Sequence, residues 1–103
     1  MVDEQRKHQR VPVSFKVTCV EDDASSFDGL ARDLSVGGLF VECERVPAFG
    51  TSLTVVTRSL AARELRLPAI VRWAATGGFG VQFGLLGAYA THVIVDLVKK
   101  QTT

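Results

Sequence analysis

An all-β fold, a small six-stranded antiparallel barrel carrying a C-terminal helix, is what this 103-residue sequence predicts. Three observations predict it. Six short segments alternate apolar and polar residues with a period of two, clusters of Gly, Pro, Asp and Ser separate them, and the tail switches to steps of three and four. At 47% hydrophobic and 22% charged, a chain of this length suits one hydrophobic core. We therefore read residues 1–103 as a single domain, with a flexible ligand-binding arm at 1–10, a barrel at 11–84 and a helix at 86–100.

The first strand is VPVSFKVTCV, 11–20, with Val11, Val13, Phe15, Val17 and Cys19 on one side. The acidic turn EDDASS leads into FDGLARDLS, 27–35, where Leu30 and Leu34 stand an even number of steps apart, so the first two strands form a hairpin. Gly37 and Gly38 break the chain before a third strand, in which Leu39, Val41 and Cys43 alternate with Phe40 and Glu42. Beyond the break from Pro47 to Gly50, SLTVVT, 52–57, is the fourth. LRLPAIVRWAA, 65–75, is the fifth, with Leu65, Leu67, Ala69, Val71 and Trp73 on one face and Pro68 marking an edge or a bulge. Gly77 and Gly78 turn the chain into FGVQF, 79–83, where Phe79, Val81 and Phe83 alternate with Gly80 and Gln82. In the tail Ala90, Val93, Ile94, Leu97 and Val98 fall on one helical face, and Lys99 and Lys100 suit the negative end of the helix dipole. Strands this short and closely spaced are most economically closed into a barrel, with the helix covering an open end or side.

Charge and composition exclude several function classes. A net charge of +1 gives no overall field favouring DNA, RNA or an anionic membrane. The mostly apolar stretch Val93 to Val98 is far short of the ~20 residues of a spanning helix, so no membrane insertion is expected. The opening MVDEQRKHQR lacks an apolar leader and there are two cysteines, which points to a cytoplasmic protein without a disulfide framework. No His-Glu-x-x-His, Gly-x-Ser-x-Gly or P-loop pattern is present, and Cys19 and Cys43 fall on apolar strand positions rather than at zinc spacing, so neither an enzyme nor a metal site is expected.

Two clusters carry recognition chemistry. The arm holds Arg6 and Arg10, whose planar forks pair bidentately with phosphate oxygens or with the O6 and N7 acceptors of guanine. At the turn after the second strand, Asp33 can accept from the N1 and N2 donors of guanine and Ser35 can donate to a phosphate, while Gly38 permits an unusual dihedral or a close ligand approach. Taken alone, the arm also reads as a solvated terminus, and the turn residues as partners for their own backbone.

In combination, Arg6-x-x-x-Arg10 ahead of the first strand, Asp33-x-Ser35-x-x-Gly38 between two strands and Gly80-Val81-Gln82-Phe83 after a glycine turn make the sequence resemble the PilZ family of bacterial cyclic di-GMP receptors. The resemblance covers nearly the whole chain. It implies a PilZ-like six-stranded β-barrel with a C-terminal α-helix, and a ligand, cyclic di-GMP, with no cofactor. It also implies roles: Arg6 and Arg10 on guanine and phosphate, Asp33 on a guanine edge, Ser35 on a phosphate, Gly38 in the turn. Trp73 resembles a surface position where some members pack a guanine base, although its parity with Leu67 and Val71 directs it to the core. The implied function is a bacterial receptor or adaptor in motility or biofilm signalling, which changes conformation on binding cyclic di-GMP and relays this to an unidentified protein partner. The alternative is a PilZ-like protein interaction module that has lost nucleotide binding.

Overall fold

The computed structural model describes residues 9–102. Six strands and one helix follow in order: β1 Val11–Glu21, β2 Ser26–Ser35, β3 Gly38–Glu42, β4 Ser52–Thr57, β5 Leu65–Ala75, β6 Gly78–Phe83 and α1 Ala88–Thr102. All pairings are antiparallel, and the sheet closes on itself in the order β1-β2-β3-β6-β5-β4. Closure follows from short strands joined by tight connections, because it leaves no unpaired strand edge in the sheet.

The period-two pattern sends one side of each strand inward. Leu39 and Val41 of β3, Leu53 and Val55 of β4, Leu65, Leu67, Ala69 and Val71 of β5, and Phe79, Val81 and Phe83 of β6 are buried in one cluster with Val17 and Cys19 of β1. Ala90, Ile94 and Val98 of α1 join it, and the helix packs against β1, β2 and β5. Among the described residues no helix is long and apolar enough to cross a membrane.

The structure corrects the alternation at three places. Two residues of β1, Val13 and Ser14, stand against one of β2, and Val13 is only half-buried. Arg32 is the extra residue of β2 against β3, so Ala31 and Leu34 face inward while Leu30, opposite Lys16 and Glu42, does not share Leu34's face. Arg72 is the extra residue of β5 against β6: Val71 faces Val81 in the core, Trp73 faces Gly80, and Trp73 leaves the face it was expected to share. Pro68 is at no free edge, and the bulge falls at Arg72 instead. Proline is accommodated because its carbonyl, which accepts from the Gly84 N–H at 2.8 Å, points past the end of β6, and the missing N–H lies on that same side.

Candidate functional site

Strand register assembles the site. Pro12, Asp33, Phe40, Gly80 and Trp73 are successive partners across β1, β2, β3, β6 and β5. The adjacent row, Val11, Leu34, Leu39, Val81 and Val71, is wholly buried, so the Asp33 row lies on the outer face of the barrel. Two residues further along β2, on that same outer side, Ser35 begins a row that continues through Gly38, Gln82 and Ile70. Residues remote in sequence thus share one patch of surface.

The glycines in these rows, Gly80 and Gly38, and Gly78 at the start of β6 each have a packing reason. A Cβ on Gly80 would lie 2.0 Å from the Trp73 indole, so the ring rests on the bare backbone of β6 with its other face outward, 40% exposed. A Cβ on Gly78 would lie 2.5 Å from the Phe40 ring, which uses that backbone in the same way. A Cβ on Gly38 would lie 2.0 Å from the Val81 carbonyl oxygen. Gly38 is therefore set by the close approach of β6 and not by an unusual dihedral, since the positive-φ glycines are Gly50 and Gly77.

Arg10 links Asp33 to Trp73, at the β5 end of the outer row. Its Nη1 donates to Asp33 Oδ1, and its guanidinium carbon stands 5.0 Å from the Trp73 ring centroid. The ion pair is exposed, with side-chain exposures of 40% and 36%, so it is worth no more than about 1 kcal/mol and exchanges readily for other partners. Ser35 differs: it is 2% exposed, accepts the Gly37 N–H at 3.1 Å and donates to the Gly38 carbonyl at 3.4 Å. Its hydroxyl holds the turn in place beside the patch.

Of the residues singled out in the sequence, Arg10, Asp33 and Trp73 come together, Ser35 and Gly38 border them, and Arg6 lies outside the described residues. Sequence reasoning gave Phe40, Gly80 and Gln82 no role in the site beyond their strands. Their signal was the Gly-x-Gly-x-Gln alternation of β6, which leaves the outer face bare where an aromatic must lie flat. A cavity of about 1000 Å³ lies elsewhere, bordered by Thr18, Asp28, Leu30, Val56 and Arg66, and none of Arg10, Asp33, Ser35, Gly38 or Trp73 lines it. The candidate site is a surface platform: an aromatic face, a guanidinium, a carboxylate and a tight turn within a few strand spacings.

A sequence model of the PilZ domain matches residues 4–100. Among solved structures the chain is similar to the PilZ domain of CeSA from a cellulose-synthesising bacterium, at TM-score 0.73 and 25% identity over 89% of this chain and 96% of that one. It is similar to the inhibitor of motility MotI/DgrA of Bacillus subtilis, at TM-score 0.77 and 18% identity, covering 93% of this chain and 51% of the other, about half its length. It is also similar to the PilZ domain of Escherichia coli YcgR, solved with c-di-GMP, at TM-score 0.77 and 12% identity over 94% of this chain and 91% of that one. No curated protein matches the sequence.

Proposed function

The chain belongs to the PilZ domain family, a family of cyclic di-GMP receptors and adaptors, and on that premise we propose that it binds cyclic di-GMP on the outer face spanned by β2, β3, β6 and β5. The observation that carries this reading is the Arg10 bridge from Asp33 to Trp73. A guanine offers donors at N1 and N2 to a carboxylate and acceptors at O6 and N7 to a guanidinium, so it can take up both partners of the ion pair at once. The exchange is cheap because the pair is exposed. The outward face of Trp73, backed by Gly80, offers a stacking surface worth on the order of 1–3 kcal/mol per base. Arg6 joins Arg10 on guanine and phosphate, and Gly38 keeps the turn flat enough for the ligand to approach.

The arm then closes over the ligand and remodels the surface seen by a protein partner, a ligand-driven conformational switch. Such a receptor carries no catalytic step and works in the cytoplasm. Its partner belongs to motility or biofilm signalling, a reading supported by the similarity to an inhibitor of motility and to a PilZ domain from a cellulose-synthesising bacterium. A second reading, a module that binds protein alone, is favoured by Ser35, whose hydroxyl is already satisfied by its own turn.

Isothermal titration with cyclic di-GMP, with GTP as control, separates the two. We expect micromolar or tighter binding, weakened in Arg10→Ala by the loss of one bidentate contact, about 1–3 kcal/mol. Absence of binding selects the protein-only reading, and full affinity in Arg10→Ala removes the arm from the mechanism. Amide exchange of residues 1–12 unchanged at saturating ligand sinks the switch alone.

A further inference from the structure

Arg72 stands apart from the other described arginines. Arg10, Arg32, Arg45, Arg58 and Arg66 each pair with a carboxylate, and Arg63 lies over the Tyr89 ring, 3.9 Å from its centroid. Arg72 instead donates from Nε to the neutral amide oxygen of Gln82, at 2.9 Å. Its charge has no countercharge among these contacts, and the engaged Nε leaves the two terminal amino groups to donate elsewhere.

The position is built by the fold. As the extra residue of the β5 bulge, Arg72 is exposed next to Trp73, and its partner Gln82 is the ladder neighbour of Gly38. Arg72 therefore borders the platform on the β5 side, across from Arg10. Gly38, paired with both Ser35 and Gln82, presents no side chain between them, so only backbone separates the Ser35 hydroxyl's end of the ladder from the Gln82–Arg72 pair.

We infer that Arg72 is a phosphate-contacting residue of this site, an inference that rests on the receptor reading proposed above. A cyclic dinucleotide carries two phosphodiester charges, and a guanidinium held in position by a neutral amide meets one of them without first giving up an ion pair. Arg10 must leave Asp33 to act; Arg72 gives up nothing.

The test is titration of the full chain with cyclic di-GMP in the wild type, Arg72→Gln, Arg72→Lys, Arg10→Ala and, as a charge control, Arg66→Gln, each checked for an unchanged unfolding midpoint. We expect Arg72→Gln to weaken binding about tenfold, Arg72→Lys to recover part of the loss, and Arg66→Gln to bind like the wild type. Affinity should also fall less steeply with sodium chloride in Arg72→Gln than in the wild type. Wild-type affinity in Arg72→Gln beside a weakened Arg10→Ala overturns the role of Arg72 and leaves the receptor reading standing. So does a Lys variant no better than the Gln variant, or an equal loss in Arg66→Gln. A wild type that does not bind overturns the receptor reading itself, and Arg72 with it.

Discussion

Cys19 shows how much one buried atom records. Its side chain is fully buried in the barrel, and burial pushes the thiol up to about 12, with Cys43, Asp28 and Glu21 adding to the shift. Cys43 is only half-buried, and its sulfur donates to the Asp28 carbonyl at 3.3 Å. A thiol-disulfide reagent at pH 8 should therefore label Cys43 in the native protein and reach Cys19 only after unfolding, because the thiolate is the reacting form. The same shift has a sign in stability. Native Cys19 keeps its proton up to about 12 whereas an exposed thiol loses it near 9.0, so the contribution is fully present below that lower value and is lost as pH rises between the two. A urea midpoint that climbs across this alkaline window in the wild type, relative to Cys19→Ala, would contradict the assignment.

Among the elements, the tightest constraint is the ladder between β3 and β6. A Cβ on Gly38 meets the Val81 carbonyl oxygen at 2.0 Å, a backbone atom that cannot step aside unless the two strands part. Gly38→Ala should destabilise the fold by about 3 kcal/mol in urea unfolding, at the upper end of overpacking costs. Gly84→Ala, whose Cβ would find only ordinary contacts at 3.7 Å, should change stability by less than about 0.5 kcal/mol. The strands themselves were legible because alternation within each one is undisturbed over most of its length, and the helix because Ala90, Ile94 and Val98 keep their period. The bulges were not. A bulge adds one residue without changing the apolar pattern on either side, so parity counted through Arg32 misplaced Leu30, and parity counted through Arg72 sent Trp73 to the core. The pairing of Arg10 with Asp33, 23 residues apart, was legible only through the motif resemblance, since it depends on the register that sets Pro12 opposite Asp33.

For the whole molecule, the platform and the core are two faces of the same rows, so binding and folding are linked. The outer row crosses β1, β2, β3, β6 and β5, and each of its residues except Trp73, which the extra residue Arg72 sets off from Val71, is flanked by an inward residue of the buried row from Val11 to Val71. A ligand held by Arg10, Asp33 and Trp73 bridges strands that come together only in the closed barrel, and the unfolded chain offers no such surface. Cyclic di-GMP at one hundred times its dissociation constant should then stabilise the native state by about 2.7 kcal/mol. In a chain of this size that raises the unfolding midpoint by roughly 10–20 °C. At the same concentration Arg10→Ala, its affinity lower by about 1–3 kcal/mol, should keep only about 0.3–1.8 kcal/mol of that stabilisation and shift correspondingly less, and GTP should shift neither protein. A ligand that binds in titration yet leaves the wild-type midpoint unmoved would have to be held by a segment that does not depend on the barrel, and the platform across β2, β3, β6 and β5 would lose its part in recognition.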